Sequence, residues 1–328
     1  MEVNYKFKTE PYEHQRKAWS ANLQRQSYAY FMEMGTGKSK VLIDTMAYLA
    51  NTQEIDFALV IAPKGVYRNW VNKEIPEHFP DDIRQHIFLW QPLSTKKYRD
   101  ALKDFFVNPE PGLKIFVMNV EAFSSPKGKK AGEWIAKRFG ANGMIAIDES
   151  TTIKNPKAAR TKALLKISHN FKCRRILTGS PVTKSPLDLF AQCAFLDPQI
   201  LGYRSYYAFQ ARYALTQTRT MGSLSFNEII GYKNLDELTD KIDTFSYRVL
   251  KKDCLDLPEK NYTVLYVGMT PEQRQMYQDI SDQAMIEFED GELVTSLQMI
   301  TALLRFQQIL SGYLPTDDGN LVEFKTQR

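Results

Sequence analysis

The stretch Met32-Glu33-Met34-Gly35-Thr36-Gly37-Lys38-Ser39 decides the fold, because two glycines separate an apolar run from a helical pattern. Tyr28 to Phe31 form the apolar run before it, and from Val41 onwards apolar residues recur at helical spacing. Glycines let successive backbone N–H groups wrap around a phosphate, and the N-terminus of a helix adds positive potential. The stretch therefore predicts a strand, a phosphate-binding loop and a helix.

The side chains of this loop are those that ATP and Mg²⁺ require. Lys38 can reach the β- and γ-phosphates, and the Ser39 hydroxyl can ligate Mg²⁺. The first position departs from the usual loop pattern, because Met32 stands where Gly or Ala is common. Three further residues complete the predicted nucleotide-binding loop: Gly35, Thr36 and Gly37.

Short apolar runs recur along the first two-thirds of the chain, with helical patterns between them. Continuous apolar runs are typical of strands that are buried on both faces, and their alternation with helices predicts a doubly wound α/β domain. In such sheets ligands bind beyond the carboxyl ends of the strands. The predicted strands are Tyr28 to Met32, Phe57 to Ala62, Ile87 to Trp90, Ile115 to Val120, Met144 to Ile147 and Arg175 to Leu177.

Composition narrows the class of protein without naming a function. Hydrophobic residues make up 43% and charged residues 25%, as in globular proteins that fold in water. No apolar run is long enough for a bilayer, and the N-terminus lacks an apolar signal core, so we expect a cytoplasmic protein with no membrane partner. The compactness of the chain favours a bacterial or virus-infected cell as its source. Three widely spaced cysteines fit reduced thiols. The net charge of +5 is compatible with a polyanionic partner but does not argue for one.

Two further motifs follow predicted strands. Asp148 and Glu149 come directly after Met144 to Ile147, where Asp148 can hold Mg²⁺ and Glu149 can polarise an attacking water. An Asp-Glu pair is common by itself, and its weight here comes from the phosphate loop that precedes it. Thr178 and Ser180 lie in a Gly/Pro turn directly after the predicted strand Arg175 to Leu177. Their hydroxyls can link a hydrolysis site to a segment of the protein that moves.

The order of these motifs resembles the first RecA-like lobe of superfamily-two helicases. Finer features are similar to the Swi/Snf-type branch of DNA translocases, and the resemblance covers nearly the whole chain. The residues that carry it are Tyr12, His14 and Gln15, Glu33 to Lys38, Pro63 to Trp70, Ile153 to Asn155, Leu177 to Pro181, Phe195 to Pro198, and Leu257 to Lys260.

This resemblance implies an α/β, RecA-like P-loop domain with a mainly parallel sheet between helices, plus helical protrusions. It implies a DNA-dependent ATP hydrolase that translocates on or remodels double-stranded DNA and converts ATP to ADP and phosphate. Gln15 would contact adenine, and Thr178 and Ser180 would couple turnover to movement. The residues expected to hold DNA phosphates, whatever the sequence, are Lys64, Asn119, Lys154 and Asn155.

The chain also departs from the family pattern. Thr151 stands where relatives usually have His, and Thr183-Lys184 replaces a common Gln-Asn pair; in relatives both positions help couple ATP turnover to DNA. The second RecA-like lobe, with its arginine finger, is expected to follow residue 328. An arginine finger supplies roughly 10³ to 10⁵ in rate in comparable enzymes, so we expect the chain alone to be poorly active.

The chain is predicted to divide into four segments. Residues 1–200 form the ATP-binding core, 201–260 a helical or irregular protrusion, 261–312 a last strand and helices, and 313–328 the start of a connection to the second lobe. Within these we expect a strand at Tyr262 to Met269 and helices at Pro271 to Phe288 and Leu293 to Leu310. The aromatic run Tyr203 to Tyr213 is expected to be a helix packed on the core.

Two other functions compete with a DNA motor. A small-molecule P-loop NTPase or kinase explains Lys38 and Asp148 but leaves Gln15 and Thr178 to Pro181 without a role. A non-catalytic, nucleotide-gated binding module is disfavoured by the intact Lys38, Asp148 and Glu149. Within the motor class, strand separation and duplex translocation are not distinguished by these motifs.

Overall fold

The computed structural model describes residues 5–93, 95–221, 224–254, 263–289, 296–315 and 320–326. The chain divides into two compact units, Met1–Leu257 and Pro258–Arg328. The first unit contains all of the motifs predicted to bind nucleotide.

The strands are β1 (Ser27–Met32), β2 (Phe57–Ala62), β3 (Gln85–Leu89), β4 (Leu113–Asn119), β5 (Gly143–Asp148), β6 (Cys173–Leu177), β7 (Ala214–Met221), β8 (Leu224–Tyr232), β9 (Ser246–Val249), β10 (Tyr313–Pro315) and β11 (Leu321–Glu323). The helices are α1 (Glu13–Asn22), α2 (Lys38–Asn51), α3 (Tyr67–Asn69), α4 (Ile75–His78), α5 (Lys96–Val107), α6 (Pro126–Phe139), α7 (Ala159–Ser168), α8 (Leu189–Leu196), α9 (Tyr206–Tyr213), α10 (Leu235–Asp243), α11 (Lys251–Cys254), α12 (Pro271–Glu289) and α13 (Ser296–Ser311). A π-helical turn, Trp70–Glu74, joins α3 to α4.

Seven strands form one sheet in the order β3-β4-β2-β5-β6-β1-β9, and every neighbouring pair is parallel. Helices lie between successive strands along the chain, so the predicted α/β class is confirmed. The six strands predicted from apolar runs are β1 to β6, and each is present. Parallel order brings their carboxyl ends to one edge of the sheet, which is where the predicted motifs follow them.

The central strand β2 shows why its sequence is an unbroken apolar run. Phe57, Leu59 and Ile61 pack into one hydrophobic core, whereas the alternate residues pack into the core on the opposite face. Every side chain of β2 is buried. Because side chains alternate between the faces of a strand, a strand covered by helices on both sides has no polar face.

A buried arginine ties α1 to this sheet. Arg175, on β6, is fully buried, and its guanidinium donates to the Asn22 side-chain oxygen and to four backbone carbonyls. Three of those carbonyls belong to the last residue of α1 and to the connection between α1 and β1, and therefore the end of α1 is held against the sheet. The four carbonyl oxygens that accept from Arg175 belong to Asn22, Arg25, Gln26 and Arg174.

The segment predicted as a helical or irregular protrusion contains strands. β7 and β8 form an antiparallel hairpin, and β9 joins the main sheet beside β1. Alternating threonines in β7 suit a strand, because β-branched side chains favour extended backbone, but no continuous apolar run marks it. The aromatic segment agrees with expectation, since α9 buries Phe209 and Tyr213 completely.

In the second unit, the two predicted helices are present as α12 and α13, although residues 293–295 of the second prediction lie outside the described residues. The strand predicted over Tyr262 to Met269 was wrong for residues 263–269, which form no strand, and Tyr262 is outside the described part. Val264, Leu265 and Tyr266 are largely exposed, and apolar character alone does not make a strand without a pairing partner. None of the described helices is both long and apolar enough to cross a membrane.

Candidate active site

The loop between β1 and α2 depends on its two glycines. Gly35 and Gly37 both have φ of +83°, in the left-handed region that glycine adopts without steric cost. Gly37 also caps α2, and a Cβ there would lie 2.1 Å from the side-chain nitrogen of Gln15. Any other residue at position 37 would therefore strain the backbone and displace Gln15.

The start of α1 is fastened to this loop through Thr36. The Thr36 carbonyl accepts hydrogen bonds from Gln15 Nε2 at 3.0 Å and from the His14 ring at 2.8 Å. Gln15 Oε1 accepts the Tyr12 N–H at 3.0 Å, so both ends of the amide contact the protein. The predicted adenine-contacting residue thus lies against the phosphate loop, while the Tyr12 ring beside it is exposed.

Lys38, Asp148 and Glu149 meet at the carboxyl ends of β1 and β5. Lys38 Nζ lies 2.8 Å from Glu149 Oε1, and Lys38 and Asp148 are both buried. Burial raises the pKa of Asp148 to about 6, although the nearby Lys38 ammonium opposes this rise. Glu149 has a φ of +51°, which is uncommon for a residue other than glycine.

Trp70 holds the orientation of Asp148. Its indole N–H donates to Asp148 Oδ2 at 3.0 Å, and the Glu149 N–H donates to Asp148 Oδ1 at 3.0 Å. Trp70 was part of the sequence resemblance but had no assigned role. The sequence shows only that a large aromatic residue follows the end of a predicted strand. That position gives no indication that Trp70 contacts Asp148, 78 residues away.

The turn after β6 closes the site from the other side. Thr178 Oγ1 lies 3.4 Å from Glu149 Oε2 and accepts the Ser180 N–H at 3.2 Å. A Cβ on Gly179 would lie 3.0 Å from the Met34 nitrogen, so this turn contacts the phosphate loop. The structure therefore brings together the loop, the Asp-Glu pair and the Thr-Gly-Ser turn, with Ser180 participating through its backbone.

These residues fit a nucleotide phosphate chain with a divalent cation. The loop offers backbone N–H groups at the N-terminus of α2, and Lys38 adds a buried positive charge. Asp148 and Ser39 add oxygen atoms, the ligands that Mg²⁺ prefers. Burial has raised the pKa of Asp148, and a nearby cation would favour its ionised form.

A second lysine lies at the loop, and the sequence did not indicate it. The Lys251 N–H donates to Glu33 Oε2 at 2.8 Å, and a Cβ on Gly35 would lie 3.2 Å from Lys251 Cε. Lys251 reaches this place because β9 pairs with β1. Since β9 was not predicted, no sequence signal placed this lysine near the site.

Of the four predicted DNA-contacting residues, Asn119 ends β4, Lys64 follows β2, and Lys154 and Asn155 follow β5. These three strands are neighbours in the sheet. Glu121 joins two of them, accepting hydrogen bonds from the Lys64 N–H and from Asn119 Nδ2, each at 3.1 Å. Lys154 Nζ lies 3.6 Å from Asp188 Oδ2 and donates to the Thr183 hydroxyl. Asn155 is exposed and caps its own turn by accepting the Lys157 N–H.

Comparison with known proteins identifies the family of the chain. The family model described as SNF2-related domain matches residues 12–312. ISWI chromatin-remodeling complex ATPase CHR11 of Arabidopsis thaliana is 30% identical over 247 residues, which cover 75% of this chain and 21% of that protein. SNF2 domain-containing protein ENL1 of Oryza sativa subsp. japonica is 23% identical over 267 residues, 77% of this chain and 26% of that protein.

A solved structure shares the fold. The Sulfolobus solfataricus SWI2/SNF2 ATPase core in complex with dsDNA has a TM-score of 0.57 and 24% identity, and the match covers 97% of this chain and 62% of that one. The chain spans about a quarter of the length of the two plant relatives. Because the family model covers most of its length, the chain belongs to the SNF2-related domain family.

Proposed function

We propose that the chain is the ATP-binding and ATP-hydrolysing domain of a motor that translocates on or remodels double-stranded DNA. The observation that carries this proposal is the meeting of Lys38, Asp148, Glu149 and Thr178 at one edge of the sheet, with Lys38 Nζ 2.8 Å from Glu149 Oε1. This edge is where α/β sheets bind ligands. Family membership points to the same activity.

In this proposal the residues of the loop bind the phosphates of ATP. Backbone N–H groups between Gly35 and Ser39 face the phosphates, and Lys38 pairs with the β- and γ-phosphates. Ser39 and Asp148 would hold Mg²⁺, and the Trp70 indole N–H fixes the orientation of the Asp148 carboxylate. When bound, Mg²⁺ neutralises negative charge on the phosphates and so favours transfer of the γ-phosphoryl group to water.

Glu149 then orients the attacking water. Without nucleotide its carboxylate is paired with the Lys38 ammonium. The phosphates of ATP compete for Lys38, and this competition frees Glu149 to accept a hydrogen bond from water. Thr178, whose hydroxyl faces the second oxygen of Glu149, keeps the carboxylate turned into the site.

We infer that the partner is double-stranded DNA, bound through its phosphates without regard to sequence. The support is the row of Asn119, Lys64 and Lys154 at or beyond the carboxyl ends of three adjacent strands. Relatives named as chromatin-remodeling ATPases and a solved relative described in complex with dsDNA add to it. Lysine and backbone amide groups at such positions bind phosphate and carry no sequence information.

Full activity, we infer, requires a second lobe that closes over the nucleotide. The match covers 62% of the solved ATPase core, so that core contains more chain than the part aligned here. An arginine supplied by such a lobe would add roughly 10³ to 10⁵ in rate. The domain by itself would bind ATP and hydrolyse it slowly.

The test is ATP turnover by the full protein that contains this chain, with and without duplex DNA, single-stranded DNA and RNA. Strong stimulation by duplex DNA that is absent in Lys38→Ala supports the proposal. Turnover that responds to no nucleic acid but rises with a small metabolite would replace it with a small-molecule NTPase or kinase.

A further inference from the structure

Gln192 is a fully buried amide on a helix that is otherwise apolar. It lies on α8, where Leu189, Cys193 and Leu196 are also buried. A side-chain amide that leaves water without hydrogen-bond partners destabilises the folded state. At this position an apolar side chain would suit the core, so the partners of the amide explain its presence.

The partners of Gln192 belong to two of the loops at the active-site edge. Its Nε2 donates to the Pro181 carbonyl and to the Asp188 carbonyl, each at 2.8 Å. Its Oε1 accepts the hydroxyl of Ser150 at 2.7 Å, and Ser150 is itself fully buried. Because carbonyls only accept, the nitrogen must face Pro181 and Asp188, which leaves the oxygen for Ser150.

These hydrogen bonds join the turn after β5 to the turn after β6. Ser150 directly follows Glu149, and Pro181 ends the turn that begins at Thr178. The two turns also meet on the nucleotide side, where Thr178 Oγ1 faces Glu149 Oε2. Two separate links between the turns restrain both their distance and their relative rotation, whereas one link would leave a pivot.

The same helix connects this pair of turns to the surface. Asp188 accepts Gln192 through its carbonyl, while its carboxylate accepts the Thr183 and Lys184 N–H groups and pairs with Lys154. Hydrogen bonds lower the pKa of Asp188 against the opposing effect of burial. A continuous set of polar contacts thus runs from Lys154 through Asp188 and Gln192 to Ser150.

We propose that Gln192 is a positioning residue that makes the Asp148–Ser150 turn and the Thr178–Pro181 turn move together. Glu149 is in place to orient water only while this link holds, and displacement of Lys154 or of the Thr178–Pro181 turn is transmitted to Glu149. Gln192 is fully buried, and its hydrogen bonds all go to protein groups, so its role is to position other residues. This inference rests on the proposed ATPase function and names a part of it that the sequence motifs did not include.

The test compares ATP affinity and turnover in the full protein carrying Gln192→Leu, which keeps the side-chain volume and removes all three hydrogen bonds. We expect kcat to fall about tenfold, the rate equivalent of one or two hydrogen bonds, with ATP affinity within about twofold of the original. The ratio of turnover with duplex DNA to turnover without it should fall as well. Binding of a fluorescent ATP analogue in the presence of Mg²⁺ measures the affinity.

Two further variants distinguish a positioning role of Gln192 from a contribution to folding stability alone. Cys193→Ala removes a buried side chain from the neighbouring position on α8 and should lower stability without changing the DNA-stimulation ratio. The double variant Ser150→Ala/Gln192→Leu leaves apolar groups facing each other and should recover part of the unfolding stability lost by Gln192→Leu, but not kcat.

Recovery of kcat in the double variant, or an equal loss of DNA stimulation in Cys193→Ala, would overturn the positioning role. Unchanged turnover in Gln192→Leu would do the same while leaving the proposed function intact. Failure of the unsubstituted protein to bind or hydrolyse ATP would instead overturn the proposed function, and this inference with it.

Discussion

At the scale of single residues, each carboxylate oxygen of Glu149 has its own partner. Lys38 pairs with one oxygen at 2.8 Å, and the Thr178 hydroxyl lies 3.4 Å from the other. The strained backbone of Glu149, with φ of +51°, is part of the same arrangement. Strain of this kind at an acidic residue persists where the surrounding contacts over-determine it.

Glu149→Gln should retain ATP binding and abolish turnover. The amide keeps the size of the side chain and a contact with Thr178, but it cannot act as a base, a role usually worth about 10² to 10⁴ in rate. Nucleotide binding and single-turnover hydrolysis measure the two effects, with Lys38→Ala as the control that also loses binding. Retained hydrolysis in Glu149→Gln would exclude the proposed role of Glu149.

Asp44 predicts a pH dependence of stability. It is buried on α2 and paired with Lys40 at 2.8 Å, and burial raises its pKa from 3.8 to about 6. The folded state therefore holds the Asp44 proton more tightly than the unfolded state. The contribution of this group to folding improves as the pH falls through about 6, and it is lost at higher pH.

Compared with Asp44→Asn, which does not titrate, the unsubstituted chain should gain about 1 kcal/mol of unfolding free energy between about pH 7 and about pH 5. Urea unfolding of both proteins at the two pH values measures this difference. Identical pH dependence in the two proteins would contradict the raised pKa of Asp44.

At the scale of elements, the end of α1 depends on one side chain of β6. Arg175→Met should lower the free energy of unfolding by about 3 to 5 kcal/mol, because it leaves several buried carbonyl groups without donors. Arg174→Met, the neighbouring and partly exposed arginine that donates to Ser27, is the matched control, with an expected loss near 1 kcal/mol. Similar losses from chemical unfolding of the two variants would refute this role for Arg175.

An acidic residue, Glu121, lies among the candidate phosphate contacts at the carboxyl ends of β4, β2 and β5. Glu121 links Lys64 and Asn119, and its charge would repel a DNA phosphate. Glu121→Gln should therefore raise affinity for duplex DNA about threefold, the effect of one exposed charge. Lys154→Ala should lower affinity by a similar factor.

Both changes should be equal across DNA sequences, because phosphate contacts carry no sequence information. Fluorescence anisotropy with two duplexes of unrelated sequence tests this expectation. A loss in Lys154→Ala that depends on the duplex sequence would contradict a phosphate contact, and so would unchanged binding in both variants.

At the scale of the whole molecule, a net charge of +5 is too mild to identify a DNA-binding protein. The proposed DNA contacts rest on local arrangement instead, because β2 and β5 are neighbours in the sheet and Lys64 and Lys154 both lie beyond their carboxyl ends. Two lysine–phosphate contacts release about two counterions on binding. We predict that affinity for duplex DNA falls about tenfold between about 50 and 200 mM salt.

Titration of the duplex at several salt concentrations measures the slope, and Lys154→Ala should reduce that slope by about one unit. A slope that does not change in the variant would place the phosphate contacts elsewhere on the surface. Salt-independent binding would argue against phosphate recognition altogether.

The sequence by itself determined the six strands β1 to β6 and the phosphate loop, because each is encoded locally. An apolar run such as Phe57 to Ala62 must be buried on both faces, and glycines at 35 and 37 are required by the left-handed backbone. The α/β class follows from the alternation of such runs with helices.

Only the tertiary structure decided that β9 extends the sheet beside β1, that residues 214–232 form a hairpin, and that residues 263–269 form no strand. It also joined Trp70 to Asp148 across 78 residues and Ser150 to Gln192 across 42. The physical reason is the same in each case. Strand pairing and buried hydrogen bonds depend on which distant segment lies alongside, and local patterns of hydrophobicity do not encode that partner.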